Sequence, residues 1–524
     1  MKNKSLIKIL SVFASAALLT GAFSVTAGAA ESDGQLAAAI PSQEPDDPSL
    51  PVRYSSVEEG YVTEIKRQGF NDCWAYSTLA AFETKLLKSG YNVGNMSEPH
   101  LNLWAMTRKD GTGWLRQRTS SGLVYTGSGY LASWQGGVLE SDAGSITITS
   151  DSKGDEAAPD LARFGVTSLR YLSGESRNVI KRAILDNGGA LAAYSHNTPY
   201  SKDNLTYYLP PSYTGSVNGH MIEVVGWDDN FSKSRFSTAP QNDGAWLVKN
   251  SWGNNNSEGG YIWISYEDKY LFGADKFVPV YAIEDFEEIT ERKKLIQNEI
   301  YGAICDFNYI NENNVTFLNR FTFDDSFYVL DKVIFETRKK NTGYTIYFVP
   351  DEGSAPTADT SRWRELYRGV SDYAGYICAD LDNIEISGSG SIAVQLNCED
   401  GVSSIGVDEW LTVGGSYFFL NNSDYGMSYV YRGGVMQDVM QWYKDEENDS
   451  IGGTFVIKAL TISPEAGDVN LDGQVNISDA TLIQFYLAEL SEFSANQKTL
   501  ADVNGDGELD ISDATELQFR IASE

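Results

Sequence analysis

The sequence predicts a multidomain protein in which an α+β domain, an all-β sandwich and a small all-α calcium-binding module follow one another. Three observations predict it. At 524 residues the chain is too long for a single hydrophobic core. Its texture changes near residue 295, from helices mixed with strands to short aromatic and β-branched runs separated by polar turns. Its last 58 residues carry a twelve-residue acidic loop twice, offset by 34 residues.

At the N-terminus, Lys2, Lys4 and Lys8 precede an apolar stretch from Leu10 to Phe23, and Ala27-Gly28-Ala29-Ala30 offers small residues for cleavage. That pattern predicts a secretory signal peptide over residues 1–30, followed by a leader or linker over residues 31–50. Export to the extracellular medium is therefore expected. The formal net charge of −32 repels nucleic acid and anionic membranes, so neither is expected as a partner, and it favours cations such as calcium. Four cysteines in so long a chain do not make a disulfide scaffold. Cys378 and Cys398 either pair or stay free with Cys305, whereas Cys73 stands alone in its region.

Residues 51–290 form the expected α+β domain. A helix pattern runs from Trp74 to Leu87 and stops at Lys88-Ser89-Gly90. A second spans Arg177 to Asn187, with strands at Ala190–Tyr194, Met221–Trp227, Gly244–Lys249 and Tyr261–Tyr266. Cys73 opens the first helix, where the helix N-terminus favours a thiolate. His220 lies 147 residues later at the mouth of an apolar strand, and Asn250 another 30 residues on, at the end of the next strand. A nucleophilic thiolate needs a base, and the base needs an orienter. The polar connection Asp228–Asp243 is expected to arch over this site. Cys73 has no second cysteine or nearby histidine at metal-ligand spacing, which argues against a zinc site.

The blocks Gln68-Gly69-Phe70-Asn71-Asp72-Cys73-Trp74, Asn218-Gly219-His220-Met221 and Lys249-Asn250-Ser251-Trp252-Gly253 resemble the papain-like cysteine peptidases, in the right order. The resemblance implies Cys73 as nucleophile, His220 as base and later acid, and Asn250 as the residue that fixes the imidazole tautomer. It gives Trp252 the role of covering that hydrogen bond beside the substrate. Gln68 and the Cys73 backbone N–H would form the oxyanion hole, although Gln68 stands one residue closer to the cysteine than the family pattern has it. Phe70-Asn71-Asp72 replaces the usual half-cystine there, which makes Asn71 a substitute donor. Gly136 and Gly137 resemble the glycine pair that binds an extended substrate. No cofactor is implied for catalysis, and the substrates implied are proteins or peptides. His100 and His196 lack the Gly-His-strand context and read as structural.

Residues 295–462 show the sandwich texture in the runs Val315–Phe323, Val333–Glu336, Tyr344–Val349, Ser391–Leu396, Gly415–Leu420 and Thr454–Leu460, with helical periodicity scarce. By position and texture this segment resembles the lectin-like domain behind papain-like domains in some bacterial secreted peptidases, which implies carbohydrate as a partner. Trp363, Trp410, Trp442, Tyr429 and Tyr431 are readable either as sugar platforms or as packing residues.

Residues 467–524 hold the repeated loops, Asp468 to Asp479 and Asp502 to Asp513. Calcium takes six to eight hard oxygens. Asp468, Asn470, Asp472, Gln474, Asn476 and Asp479 supply them in the first loop, and Asp502, Asn504, Asp506, Glu508, Asp510 and Asp513 in the second, with position seven acting through its carbonyl. Two calcium ions are expected. The segment has 12 acidic and 2 basic side chains, so its folding should depend on the metal. Position twelve is Asp rather than Glu, and neither loop shows a convincing entering helix. Both departures from the EF-hand resemble a type I dockerin. That family binds a cohesin on a cellulosomal scaffold, and the resemblance implies that Ile477, Ser478, Ile511 and Ser512 face the partner.

The combined expectation is a secreted, cellulosome-associated cysteine endopeptidase that works through a thioester acyl-enzyme. The alternative is a catalytically idle binding module borne by the scaffold.

Overall fold

The computed structural model describes residues 47–116, 119–216, 218–272, 280–310, 314–323, 328–386, 388–398, 401–409, 411–413, 416–447 and 452–523. The expected signal peptide, most of the leader, and Trp410 lie outside the described residues.

Helix α1 (Cys73–Lys88) runs through the catalytic half with nearly every side chain buried, from Trp74 to Leu86. Lys85 and Lys88 complement its C-terminal dipole, and Gly90 at φ +91° ends it, as the glycine stop predicts. Helix α2 (Val124–Ala132) is buried along its whole length against α1. Strand β1 (Phe164–Tyr171) leads to helix α3 (Arg177–Asn187), which Ser176 caps by accepting from the Val179 N–H. Then come β2 (Ala190–Ser195), β3 (Gly219–Asp228), β4 (Ala245–Lys249), β5 (Tyr261–Ser265) and β6 (Tyr281–Glu288).

In the second half, β7 (Lys293–Gln297), β9 (Tyr328–Thr337), β11 (Gly375–Ile386) and β13 (Ile457–Ile462) form one layer. The other layer centres on β8 (Asn314–Thr322), β10 (Thr342–Glu352) and β12 (Ser389–Asn397). Alternating inward residues such as Phe317, Val333, Ile346, Val394 and Ile457 share the core between them. Helix α4 (Val439–Glu447) is an addition that the strand-dominated texture did not suggest. Its Trp442 and Tyr443 are buried, so sheet packing rather than a solvent-facing stripe sets its pattern.

The two halves are not beads on a string. The sandwich layer continues into the catalytic sheet in the order β7–β13–β9–β11–β1–β6–β2–β3–β4–β5, within a thirteen-stranded sheet. The seam is the pairing of Gly375 and Tyr376 with Arg170 and Leu169. Gly375 is obligatory there: at φ +141° an added Cβ would lie 1.8 Å from the Leu169 carbonyl oxygen.

The C-terminal module follows β13 directly. Helix α5 (Ile477–Leu487) packs on α7 (Ile511–Ser523) around Val469, Ala480, Ile483, Ala514 and Leu517. Helix α6 (Ala495–Ala501) leads straight into the second loop, which corrects the expectation that neither loop has an entering helix. Its seven residues are too few to show periodicity, but Ser494 and Gln497 make a capping box. The module rests on the sandwich through Leu471, which packs with Val329, Ile462 and Leu500, and through Glu385, which accepts from Ser494 Oγ and from Asn496 Nδ2 at 3.0 Å.

Cys378 and Cys398 do not pair with each other. Trp442 and Tyr429 are core residues, and Trp363 packs edge-on against Tyr347 and Tyr431. No helix among the described residues is long and apolar enough to cross a membrane.

Candidate active site

Cys73 is the first residue of α1, and Asp72 stands at the N-cap. The backbone N–H groups of Met221, which follows His220 on β3, of Trp74 and of Cys73 itself lie near the thiol. These donors favour the thiolate, but burial dominates and pushes the thiol up to about 11, with the Asp72 carboxylate adding to the rise. Desolvation thus works against the thiolate that the helix terminus favours.

His220 is buried, and its Nε2 lies 2.8 Å from Asn250 Oδ1. Burial lowers the imidazole to about 4, against the Asn250 bond, which favours the charged ring. Asn250 Oδ1 also accepts the Ser251 N–H at 2.8 Å, so two contacts fix the amide. Trp252 stacks on His220 with centroids 4.5 Å apart and 26° between planes, covering the His220–Asn250 bond. The antiparallel register of β3 and β4, from Glu223 with Lys249 to Asp228 with Ala245, explains how residues 30 apart in sequence meet. The same register corrects the expected arch over the site. The 229–244 connection lies at the far end of the hairpin, eight residues of strand from His220, or about 25 Å.

Gln68 lies between the first and last of these blocks. Its backbone N–H donates to the Ser251 carbonyl, its Oε1 accepts from Ser251 Oγ at 2.5 Å, and its Nε2 donates to the Phe70 carbonyl at 2.7 Å. Asn71 is exposed on the same turn. Gly136 and Gly137, expected on the substrate side, are buried instead. A Cβ on Gly136 would meet the Tyr130 ring at 1.6 Å, and the Gly137 and Val138 N–H groups point to the Tyr130 hydroxyl. Tyr130 occupies the space at Gly136, whereas Gly137 has φ +91° and a Cβ there would meet the Phe82 ring at 2.7 Å, tertiary constraints that a motif match cannot reveal.

His100 is structural as expected: its ring is buried between the Tyr130 hydroxyl at 2.7 Å and the Ala158 carbonyl at 3.1 Å. His196 is different. It lies beside the site, edge-on to Trp252 at 4.9 Å, with Nδ1 3.1 Å from the Tyr194 hydroxyl. Nothing in its sequence context signalled this, because the contact depends on β2 pairing with β3.

The chain matches the model of the papain family of cysteine proteases over residues 50–280. It matches a lectin-like domain over 295–461 and a dockerin type I domain over 466–522. The solved structure of the clostridial cysteine protease Cwp84 after propeptide cleavage is 30% identical, with a TM-score of 0.69 over 79% of this chain and 99% of that one. The chain belongs to the papain family of cysteine proteases. A second Cwp84 structure, containing the protease and lectin-like domains of a protein described as surface layer associated in Clostridium difficile, aligns with a TM-score of 0.67 over 89% of its length. Cathepsin S of Bos taurus is 30% identical over 237 residues, 43% of this chain and 65% of the relative. Cathepsin S of Mus musculus is 30% identical over 229 residues, or 60% of its length. The chain thus spans somewhat under two thirds of these curated relatives. This papain-family chain adds to its peptidase domain the lectin-like domain and a dockerin, a calcium-binding type of module.

The calcium loops are alike in their inner hydrogen bonding. Asp479 Oδ1 accepts from Val469 and Asn470 N–H and Oδ2 from Asn476 N–H; Asp513 repeats this with Val503, Asn504 and Asp510. Asp468 Oδ2 and Asp502 Oδ2 each accept the N–H of the glycine five residues on, Gly473 and Gly507, both at positive φ. Asp468 Oδ1 is buried without a hydrogen-bond partner, and burial, joined by Asp479 and Asp472, pushes this carboxyl up to about 7. An orphaned buried carboxylate oxygen facing other carboxylates fits a cation. Among the described residues no three acidic, histidine or cysteine side chains converge on one point. Gln474 and Glu508 are exposed. Ile477 and Ile511 are 57% and 61% exposed, and Ser478 and Ser512 lie beside them on the surface.

Proposed function

We propose that this chain is a secreted cysteine endopeptidase held on a cellulosome. The observation that carries the chemistry is the contact of His220 Nε2 with Asn250 Oδ1 at 2.8 Å under the stacked Trp252, with Cys73 at the head of α1 beside the next residue of β3. Burial, which raises the thiol and lowers the imidazole, opposes a standing ion pair. The proton moves from Cys73 Sγ to His220 Nδ1 as sulfur attacks the scissile carbonyl carbon, and the oxyanion meets the Cys73 backbone N–H. The second donor is either Gln68, whose amide sits on the neighbouring turn, or the exposed Asn71. One such donor is worth roughly 3 kcal/mol of barrier. Collapse breaks the C–N bond, and the imidazolium gives its proton to the departing amine. Water then attacks the thioester, passing a proton to His220, and the carboxylic acid leaves as sulfur takes the proton back.

The dockerin supplies the attachment. Two calcium ions held by the loop oxygens would lock the loop geometry and present Ile477 with Ser478, and Ile511 with Ser512, to a cohesin. Lysines before an apolar run and the dockerin itself both support an extracellular setting, and the lectin-like domain makes carbohydrate a candidate ligand.

The test is labelling with a thiol-directed peptidyl epoxide, followed by mapping of the adduct. A single adduct on Cys73, with hydrolysis of unfolded protein substrates abolished in Cys73→Ala, is the expected result. A folded protein that neither hydrolyses nor labels would leave the idle scaffold-borne module as the reading.

A further inference from the structure

Besides Asn250, two aromatic side chains touch the His220 ring. Trp252 stacks on one face, and Tyr194, directly opposite His220 in the β2–β3 register, meets it at 5.7 Å and 78°. The same second histidine holds both. His196 presents Nδ1 to the Tyr194 hydroxyl at 3.1 Å and meets Trp252 at 4.9 Å and 81°. We propose that His196 is a positioning residue for the peptidase reaction, clamping Trp252 and Tyr194 against the His220 imidazole. This rests on the peptidase reading given above.

One hydrogen bond to Asn250 leaves the imidazole free to rock about the Nε2–Oδ1 line. Contacts on two sides suppress that motion, and a displacement of about 1 Å in a reacting group can cost on the order of 100-fold in rate. Trp252 belongs to the loop after β4 and is only partly buried, so it needs a support of its own. His196 is fitted to provide one, because it is itself fixed. Its N–H donates to the Asn218 carbonyl at 2.8 Å, its carbonyl accepts from Asn218 Nδ2 at 3.3 Å, and Tyr207 stacks on its ring at 5.7 Å and 24°. Tyr207 in turn donates to the Ser195 carbonyl, which pins the layer to the end of β2.

The titratable groups around His220 are Cys73 on α1 and Tyr194 and His196 at the end of β2, with Tyr207 and Asp268 behind them. Burial lowers His196 as it lowers His220. Removing the His196 ring lets water reach the Trp252–His220 contact and deletes a neighbouring charge at low pH. Both changes move the His220 imidazole in the same direction, upward.

The chain has three histidines, so His220 is assignable in the NMR spectrum by substitution alone. In His196→Ala we expect kcat to fall roughly 10-fold with KM within twofold, and the His220 pKa read by NMR to rise by about one unit. In His196→Phe, which keeps an aromatic edge on Trp252 but offers no nitrogen to Tyr194, kcat should fall by only about threefold. An unchanged kcat and unchanged His220 titration in His196→Ala would overturn the proposal. So would losses that follow the melting temperature equally in both variants, which would make His196 merely structural. If the alanine variant does not fold, His196→Phe decides by the same two readings. If the wild-type chain hydrolyses nothing, the peptidase reading fails, while the NMR titration still decides whether His196 holds the ring.

Discussion

Beneath Asn250, the carboxylates of Glu83, Glu98 and Glu223 are buried beside Lys66 and Lys249. In the first calcium loop Asp468 and Asp479 are buried just as fully, with Arg292 as the cation nearby. Lys66 reaches Glu98 at 2.9 Å, Glu140 at 3.0 Å and Glu83 at 4.0 Å, and Lys249 donates to Thr63, which donates to Glu83. Arg292 touches Asp468 at 3.4 Å but also serves Glu465 at 3.3 Å. The peptidase half thus carries its counter-charges in its own chain, at the cost of ordering long side chains, whereas the dockerin must take most of its positive charge from the medium. The difference teaches that one chain contains an unconditional fold and a conditional one.

Chelation tests this contrast most severely. With calcium removed, hydrogen exchange should lose its protection throughout residues 467–523 and keep it in α1 and β3. Joint loss would erase the distinction. Next comes Lys66→Met, which strands Glu98 and Glu83 without their cation. Denaturant unfolding of the peptidase half should show a loss of about 3–5 kcal/mol.

Glu223 sharpens the comparison through pH. Its carboxylate is fully buried with only Lys249 and Thr84 to favour the charge, and burial pushes the carboxyl from 4.5 up to about 7. A folded value above the unfolded one means that its stabilising contribution is complete below about pH 4.5 and is lost as pH rises through 7. Glu223→Gln should therefore match the wild type at pH 4.5 and exceed it at pH 8, by on the order of 2–3 kcal/mol. Equal differences at the two pH values would remove ionisation as the cause. The smallest effect is expected from Arg292→Ala. With calcium bound, the ion would neutralise the buried Asp468 in place of Arg292, so calcium-loaded stability should change by less than about 1 kcal/mol, and calorimetry should find the first calcium site altered and the second untouched.

Much of this was legible in the sequence where local chemistry decides. The bounds of α3 follow from its apolar spacing, the serine cap and the glycine after it. The two calcium loops follow from oxygens at fixed offsets. Cys73, His220 and Asn250 were singled out by short motifs; the strand register brings the last two together, and the head of α1 sets Cys73 beside Met221 on the same strand as His220. What was not legible depends on contacts distant in sequence. Gly136 and Gly137 match a substrate-binding pattern, yet Tyr130 fills the space beside the first and Phe82 the space beside the second. Helix α6 is too short for a period, and α4 is set by packing. His196 owes its place to strand pairing.

By itself the sequence determined α1, α3 and the main strands, which residues carry the sulfur, imidazole and amide, and where acidic loops recur, because these are properties of neighbours along the chain. Only the tertiary structure decided that the sandwich and the peptidase share a sheet through Gly375, that burial raises the Cys73 thiol and lowers the His220 imidazole, and that a second histidine lies beside the first. Desolvation and packing depend on everything that surrounds a group, and those surroundings exist only after the chain has folded.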